Sequence, residues 1–371
     1  MIKVDTKCTW NYEMPLEVFG WNKNDVFLDI ETTGLSWRRS HLYLIGAVFY
    51  DHEKDCLILR QWFLDQPANE KELLLDLLGF LHAKRLIQYN GNSFDLPYLS
   101  HKFDFYQLEN PVKSALSLDL YQKLRPYQKL FGLFAMRQKD METLVGFQRK
   151  DTFSGGELVP VYQSYLQSGD QKLLSALLTH NKEDLTGMLS LFPLLAVPAL
   201  ADGAFTVEHA ICSDKQLILS LIPDVPIFFP FSVSGTFCTL KATPEHCTLT
   251  IPARTAVLKY YFSDYRQYYY LPEEDIAIHK SVGAYVDPHH REKAKASNCY
   301  QKKEGIFFPQ TEPVFSPCFY EHYKGFPCYF QWEDPLVSQK KLQHQYSLLM
   351  LQYLFQNDVS VYSFLSGDLE S

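Results

Sequence analysis

The first residues that could do chemistry together are Asp29 and Glu31, which interrupt an apolar run from Val26 to Leu35. The run is typical of a buried strand, in which side chains two apart point to the same face. Two carboxylates about 7 Å apart repel each other by about 2 kcal/mol at an effective dielectric constant near 20. A divalent cation such as Mg²⁺ or Mn²⁺ offsets that repulsion. A bare Asp-x-Glu pair would favour two solvated charges at a strand end, but the following Thr-Thr-Gly-Leu favours a metal site.

A third carboxylate, Asp95, follows a short predicted strand from Arg85 to Tyr89 and the turn Asn90-Gly91-Asn92-Ser93. It stands at the start of a predicted helix, where Pro97 costs little because its missing N–H would be unpaired there. An acid at this junction either caps the helix, worth about 1 kcal/mol, or binds a metal. Alone it favours the cap; with the first pair in the same chain, it favours the metal.

The fourth carboxylate, Asp184, lies four residues after His180 in a leucine-rich segment predicted to be helical from Gln171 to about Pro193. Residues four apart in a helix lie on one face, so both side chains can reach a common site. The alternative is an ordinary surface or core histidine.

The three segments, in this order and context, resemble the motifs of the DEDD exonucleases, and within that family they are most similar to the YprB-type ribonuclease-H-like exonucleases. The resemblance covers residues 25 to 195. It implies hydrolysis of phosphodiesters with two divalent ions, Mg²⁺ or Mn²⁺, about 4 Å apart. The implied metal ligands are Asp29, Glu31, Asp95 and Asp184.

The resemblance also implies roles for residues that bind no metal. His180 would orient or deprotonate the attacking water, Leu35 would wedge against the terminal base, and Asn90 takes the place of a motif asparagine. The third motif departs from the usual pattern, because a four-residue spacing belongs to the tyrosine subclass. The histidine subclass has its aspartate five residues on, and position 185 here is Leu.

The elements that must position these residues follow from the apolar patterns. A hairpin is predicted over His41 to Tyr50 and Cys56 to Phe63, a helix over Asn69 to Ala83, and a fifth strand over Ser117 to Tyr121. Three strands, a helix and further strands predict an α/β fold: a ribonuclease-H-like mixed five-stranded sheet flanked by helices.

Three regions are predicted: an irregular lead-in over residues 1–20, a ribonuclease-H-like exonuclease domain over 21–200, and an accessory domain over 201–371. The last boundary is drawn at the proline-punctuated stretch from Pro193 to Gly203. Beyond it, alternation from Thr248 to Phe262 predicts a β-rich α+β domain. A helix is predicted from Asp275 to about Ala296.

The accessory domain contains a basic stretch from His279 to Lys303, where six basic and two acidic residues give a net charge of +4. Four tyrosines lie just upstream, between residues 265 and 270. Cations and aromatic faces together suit single-stranded nucleic acid. A solvated basic surface with buried tyrosines is the open alternative. The predicted substrate-binding residues here are Lys280, Arg291, Lys293 and Lys295.

Composition and charge limit the classes of protein to which this chain can belong. The chain has 371 residues, 46% hydrophobic and 15% aromatic, which is typical of globular domains. A net charge of −8 excludes binding to nucleic acid through bulk positive charge. The N-terminus lacks a secretory pattern and apolar runs are broken by prolines, so a cytoplasmic protein without membrane contact is expected. Free thiols are expected, with a zinc site built from Cys299, Cys318, Cys328 and neighbouring histidines as a lesser alternative.

These observations predict a metal-dependent 3′–5′ exonuclease acting on DNA, with single-stranded DNA favoured and a role in repair or processing suggested by the resemblance. The alternatives are an RNA exonuclease and a non-catalytic nucleic-acid-binding subunit that keeps the fold. A helicase partner and the oligomeric state are left open by the sequence.

Overall fold

The computed structural model describes residues 1–82, 84–151, 153, 155–333, 339–357 and 361–364. The chain forms two compact units, Met1–Pro198 and Ala199–Ser371. Each unit has its own sheets and is described by itself.

The first unit contains a sheet and the helices that cover it. Its strands are β1 (Ile2–Lys7), β2 (Asp25–Thr32), β3 (Leu42–Asp51), β4 (Cys56–Phe63), β5 (Arg85–Gln88) and β6 (Leu116–Asp119). Its helices are α1 (Glu70–Leu81), α2 (Asp95–Phe105), α3 (Leu120–Leu124), α4 (Gln138–Leu144), α5 (Gly155–Ser168), α6 (Gln171–Ser190) and α7 (Ala196–Ala201), the last of which runs across the division between the units.

The strand order in this sheet is β1-β4-β3-β2-β5-β6. The pairs β2/β5 and β5/β6 are parallel, and the others are antiparallel. The carboxyl ends of β2, β5 and β6 therefore meet at one edge, which is where open α/β sheets place their ligands. The predicted mixed sheet and the hairpin β3/β4 are confirmed.

The prediction of an irregular lead-in is wrong for its first residues, because β1 pairs with β4 along its whole length and adds a sixth strand. Its side chains alternate between partly buried and exposed, a period of two that was readable in Ile2, Val4 and Thr6. Arg60 reinforces the pairing through two 2.7 Å hydrogen bonds to Asp5. The strand covers an edge of β4 that would otherwise present unpaired backbone groups.

Helix α6 packs unusually close to the sheet because Gly46 on β3 has no side chain. A Cβ added at Gly46 would lie 2.1 Å from Asn181 Oδ1 and 2.4 Å from Leu185 Cδ1. Gln61 on β4 donates to Asn181 Oδ1 at 2.9 Å and to the Leu178 carbonyl at 2.8 Å. The helix is therefore fixed against β3 and β4 by polar contacts as well as by packing.

The stretch Gln171–Ala201 is long and apolar enough to cross a membrane: its most apolar 18 residues have a mean hydropathy of 1.6, but 72% of that window is buried inside the protein. A core helix of a soluble protein has the same composition. Here the stretch includes α6, whose His180 and Asn181 are themselves buried polar residues.

A buried ion pair joins α1, α2 and β3. Lys102 Nζ lies 2.8 and 2.9 Å from the two carboxylate oxygens of Glu70, and both side chains are almost fully buried. The same carboxylate accepts hydrogen bonds from the Leu42 N–H at 2.7 Å and the Tyr106 hydroxyl at 2.8 Å. With its partners satisfied in this way, the pair fixes the relative position of three elements.

The second unit is β-rich. Its strands are β7 (Phe205–Cys212), β8 (Gln216–Pro223), β9 (Phe231–Ser234), β10 (Thr239–Ala242), β11 (Cys247–Pro252), β12 (Arg254–Tyr261), β13 (Tyr268–Leu271), β14 (Ile276–His279), β15 (Glu292–Lys293), β16 (Tyr300–Gln310), β17 (Cys328–Phe330) and β18 (Val361–Phe364). Its helices are α8 (Lys280–Gly283) and α9 (Lys340–Asn357).

These strands form a six-stranded sheet, β18-β9-β10-β11-β8-β7, and two three-stranded sheets, β12-β16-β17 and β14-β13-β15. The predicted β-rich accessory fold is confirmed. The helix predicted from Asp275 to Ala296 is wrong, because that segment forms β14, the single turn α8 and β15. The β-branched pattern of β14 is too short for periodicity to separate it from a helix.

We expect Lys102→Met to lower the free energy of unfolding of the first unit by about 3–5 kcal/mol, because it leaves the Glu70 carboxylate charged and uncompensated in the core. Lys113→Met is the matched control: its ion pair with Asp104 is solvent-exposed, so the decrease should stay below about 1 kcal/mol. Urea unfolding measures both. Equal decreases would contradict a structural role for the buried pair.

Candidate active site

Four carboxylates and one imidazole meet at the edge where β2 and β5 end. Asp29 and Glu31 share one face of β2, Asp95 is the first residue of α2, and His180 and Asp184 lie one turn apart on α6. The Ile30 N–H donates to Asp95 Oδ1 at 3.3 Å, which joins α2 to β2. Asn181 donates to Asp29 Oδ2 at 2.7 Å, which joins α6 to the same strand. The structure thus brings together all five residues predicted as the reactive centre.

His180 is held between carboxylates on both sides of its ring. Nδ1 lies 2.6 Å from Asp151 Oδ2, while Nε2 lies 3.1 Å from Asp184 Oδ2 and 3.5 Å from Glu31 Oε1. An ionised carboxylate can only accept, so Nδ1 carries a proton toward Asp151. Nε2 therefore faces the site, and the orientation of the ring is set by Asp151.

Arg149 provides a second buried positive charge. Its Nη1 lies 2.6 Å from Asp184 Oδ1, and its other nitrogens bind both oxygens of Glu142 at 2.5 and 2.6 Å. A Cβ added at Gly187 of α6 would lie 2.0 Å from Glu142 Oε1, so this glycine makes room for the pair. The guanidinium is fixed by Glu142 and neutralises part of the acidic site.

The segment that carries Arg149 and Asp151 is held to α6. The N–H groups of Lys150 and Asp151 donate to Glu183 Oε2 at 3.0 and 2.8 Å. Asp184, the next residue, contacts Arg149 of the same segment, so one turn of α6 holds both the site and the segment that completes it.

The acids carry the electrostatic signature of a cation site. Burial, followed by repulsion from Asp184, Glu31 and Asp95, raises the pKa of Asp29 well above its usual range. Burial is also the main cause that raises the pKa of Glu31 to about 8 and that of Asp95 to about 7. The apoprotein holds these acids together at a cost that a bound cation would remove.

In the two residues of α6, His180 and Asp184, the pKa shifts instead favour the charged form. Burial alone would lower the pKa of His180, but the hydrogen bond and charge of Asp184, with Glu31 and Asp151, raise it to about 9. Burial alone would raise the pKa of Asp184, but His180 and Arg149 outweigh it and keep the pKa below its usual value. Asp184 is therefore the most readily ionised of the four acids.

The residues present fit a divalent cation. Ligand atoms of Glu31, His180 and Asp184 lie within 4.8 Å of one another, the one such His/Cys/Asp/Glu group in the described part of the chain. Carboxylate oxygens are the donors that Mg²⁺ and Mn²⁺ prefer. The zinc alternative at Cys299, Cys318 and Cys328 forms no comparable group in the described residues, and these thiols are free.

Two further predicted residues lie at the same edge. Leu35 follows β2 and is 86% exposed, as a residue that contacts a substrate must be. Asn90 has a positive φ of 61°, and its N–H donates to Asp119 Oδ1 at 2.9 Å. Asp119 also accepts from the Asn92 N–H at 3.1 Å, so it shapes the turn that leads to Asp95.

The four predicted basic residues lie in the second unit on β15, α8 and the adjoining loops. Arg291 and Lys280 have their charges 4.6 and 5.7 Å from the ring centroid of Tyr269. Lys293 and Lys295 are exposed. The small sheet β14-β13-β15 thus presents cations around a tyrosine, although the predicted helix that was to carry them is absent.

Sequence reasoning missed the residues Arg149, Asp151 and Asn181. Asn181 had a weak signal, because it neighbours His180. Arg149 and Asp151 lie in a polar segment with no periodicity, and nothing in the sequence places that segment against α6. Their roles depend on contacts between segments that are distant along the chain, and only the folded structure determines those contacts.

Comparison with known proteins extends this description. Residues 26–196 match the family model described as the RNase H superfamily. Over 200 residues the chain is 26% identical to the YprB protein of Bacillus subtilis (strain 168), covering 53% of this chain and 48% of that protein. The chain therefore spans about half the length of this curated relative. The resemblance to ribonuclease-H-like proteins is confirmed.

Two solved structures show limited similarity to this chain. One is the family B DNA polymerase of the archaeon Pyrobaculum calidifontis, with a TM-score of 0.36 and 11% identity over 66% of this chain and 35% of that one. The other is Escherichia coli exonuclease I in complex with a dA16 oligonucleotide, with a TM-score of 0.28 and 13% identity over 54% of each chain. Both scores are too low to define the fold, and the family model carries that assignment.

We expect the metal-free protein to become less stable as pH rises from about 5 to 9. Glu31, Asp95 and His180 have higher pKa values when folded (about 8, 7 and 9) than in the unfolded chain. The folded state therefore binds more protons across this window, and stability falls with pH. Thermal unfolding in EDTA measures the slope. Added Mn²⁺ should raise Tm more at pH 8 than at pH 6, because it binds the deprotonated ligands.

Asp95→Asn tests the origin of this slope. With a pKa of about 7 in the folded protein, Asp95 is mostly ionised at pH 8, so the change removes one repelling charge. In EDTA at pH 8 the Tm of the variant should therefore exceed that of the wild type by at least about 3 °C, roughly the shift that 1 kcal/mol produces in a unit of this size. Asp104→Asn, which changes an exposed acid outside the site, is the control and should not gain. A wild-type Tm that stays flat or rises between pH 5 and 9 would contradict the assignment.

Proposed function

We propose that this RNase H-like unit is a divalent-metal-dependent nuclease, and specifically a 3′–5′ exonuclease that acts on single-stranded DNA. The observation that carries the proposal is the convergence of Asp29, Glu31, Asp95 and Asp184 from three separate elements on one partly buried site. Like charges gather at such a cost only where a cation offsets it. The match to the RNase H superfamily supports a nuclease.

The four carboxylates would hold the divalent cations. When bound, these cations supply Lewis-acid charge that activates water and stabilises the leaving oxygen of an in-line displacement. The carboxylates themselves position that charge against the scissile phosphate. The two-ion stoichiometry and the preference for Mg²⁺ or Mn²⁺ are part of this proposal.

In the metal-free protein the surrounding acids raise the pKa of His180 to about 9, so its ring is a cation near neutral pH. With divalent cations bound by those acids, the cause of this rise would be removed, and a neutral His180 would then take the proton of the attacking water at Nε2, because Asp151 occupies the Nδ1 side of the ring. The geometry is that of a base with an orienting carboxylate behind it, which fixes the tautomer as well as the direction of the ring. The four-residue spacing to Asp184 places Nε2 and a carboxylate oxygen 3.1 Å apart. The departure from the histidine subclass pattern therefore still allows both side chains to face one site.

A second candidate function is a non-catalytic nucleic-acid-binding subunit. The basic side chains around Tyr269 in the second unit favour binding there. The retained set of four acids disfavours loss of catalysis, since an unused site could relieve the repulsion by losing any one of them. Hydrolysis by the purified protein distinguishes the two functions.

We expect purified protein to release mononucleotides from the 3′ end of a labelled single strand when Mg²⁺ or Mn²⁺ is present, and to stop when EDTA is added. Asp29→Asn and Asp184→Asn should each lower the rate by at least about 10²-fold, because each removes a charged metal ligand. Asp104→Asn serves as the control and should leave the rate unchanged. Residual activity above a tenth of wild type in either site variant would contradict the ligand assignment.

Substrate polarity and type are read from the same assay. A ladder from a 5′-labelled strand indicates 3′–5′ degradation, whereas immediate release of the 5′ label indicates the reverse. Parallel RNA and duplex substrates test the preference for single-stranded DNA. Failure to cleave any of these substrates with either metal would favour the binding subunit.

We expect the second unit to contribute affinity and no chemistry. Lys280, Lys293 and Lys295 changed together to Ala should weaken single-strand binding and reduce its salt slope by about 0.7 for each phosphate that is no longer neutralised. Arg291 is retained because it donates to the Gly283 carbonyl. Lys215 and Lys241, exposed residues at the six-stranded sheet of the same unit, provide a control double variant. Unchanged affinity and salt slope in the triple variant would show that this is an ordinary solvated surface.

A further inference from the structure

An aromatic and basic surface is formed by the loop that follows β2 and by α2, the two segments that continue from Glu31 and Asp95. It consists of Trp37, Arg38, His101 and Phe105, named here the platform. The Trp37 and His101 rings stack with centroids 4.9 Å apart and planes 13° apart, and Phe105 meets Trp37 edge-on at 6.2 Å. The guanidinium carbon of Arg38 lies 4.7 Å from the centre of the Trp37 ring. Phe105 is 59% exposed, so the surface is open to a partner.

The loop that carries Trp37 and Arg38 is fixed to the protein. The Ser40 hydroxyl donates to the Gly34 and Ser36 carbonyls, both at 2.8 Å, and is hydrogen-bonded to the Tyr98 hydroxyl at 2.9 Å. Lys102 Nζ donates to the Ser40 carbonyl at 2.7 Å. The platform is therefore presented in one geometry, and a ligand would bind it without a large cost of ordering the loop.

The position of the platform follows from the chain. The loop begins directly after β2, close behind Glu31, and α2 begins at Asp95. His101 and Phe105 lie six and ten residues into α2, or about 9 and 15 Å along its axis at 1.5 Å per residue. At the roughly 3.4 Å per phosphate of a B-form strand, this reach corresponds to about three to four nucleotides. The platform thus extends from the acids over a distance that matches a few nucleotides of a nucleic-acid strand.

The charge of the platform also selects a ligand. The stretch from Thr33 to His41 contains Arg38 and Arg39 and no acidic residue. On α2, the nearby Asp104 is already paired with Lys113 and Asn110. Aromatic faces with adjacent guanidinium groups bind nucleobases by stacking and phosphates by charge, and stacking requires bases that are not paired.

We propose that the platform binds the nucleotides immediately 5′ of the scissile bond in a single-stranded nucleic acid. This inference rests on the proposed function, because the strand must enter the acidic site with its 3′ end. Stacking of several unpaired bases beside the site makes single strands the preferred substrate. A duplex end would have to unpair over the same length.

The test separates binding from hydrolysis. Fluorescence anisotropy in EDTA with a 12-nucleotide single strand, as DNA and as RNA, measures affinity without any reaction. Phe105→Ala and Arg38→Ala change exposed side chains outside the core, and each should weaken affinity about tenfold, within the range for removing the stacking of one base. Leu116→Ala is the matched control: Leu116 is 72% exposed but begins β6, so it lies at the amino ends of the parallel strands, away from the acids.

Hydrolysis gives the second readout. With Mn²⁺ present, the platform variants should raise KM for the 12-nucleotide strand about tenfold. For the p-nitrophenyl ester of thymidine 5′-monophosphate, kcat/KM should stay within about twofold of wild type, because this ester is too short to reach the platform. Equal effects on both substrates, or unchanged affinity in EDTA, would overturn the proposal. A wild-type protein that hydrolyses neither substrate, yet binds more weakly in the platform variants, would overturn the proposed function and retain the platform.

Discussion

Repulsion among four carboxylates is the constraint on which the rest of the first unit depends. Asp29, Glu31, Asp95 and Asp184 raise one another's free energy of ionisation, and burial adds to the effect. A fold that brings such groups together must hold them with contacts stronger than the repulsion. The elements that bear the acids are accordingly fixed by the parallel pairing of β2 with β5, the Ile30–Asp95 hydrogen bond and the docking of α6.

Two cations of the chain itself relieve part of this repulsion. His180 and Arg149 both contact Asp184, and both are held from behind by further carboxylates, Asp151 and Glu142. The charges therefore alternate in sign from Asp184, through His180 and Arg149, to Asp151 and Glu142. Such an arrangement keeps Asp184 ionised, while burial and the neighbouring acids keep the pKa values of Asp29, Glu31 and Asp95 raised. The site is set up to gain stability when a cation arrives.

Surfaces of the two units divide the proposed work by physical type. Acids at the carboxyl edge of the sheet suit metal-assisted chemistry, the platform beside them suits unpaired bases, and the cations around Tyr269 in the second unit suit phosphates. None of these needs bulk positive charge, which agrees with a net charge of −8 for the chain. Local cationic and aromatic groups can bind nucleic acid in an acidic protein because screening limits electrostatic effects to about 10 Å.

The sequence by itself determined the fold class of the first unit, through motifs that resemble those of the DEDD exonucleases, and pointed to its candidate acids. Strand and helix periods place Asp29 with Glu31 and His180 with Asp184 on common faces. It did not determine the partners of those acids. Arg149, Asp151 and Asn181 act through contacts between segments distant along the chain, for which residue spacing carries no signal. In the second unit, short strands such as Ile276–His279 are too brief for periodicity to identify them. Tertiary packing decided both the partners of the acids and the short strands of the second unit, because only the folded chain fixes which side chains meet.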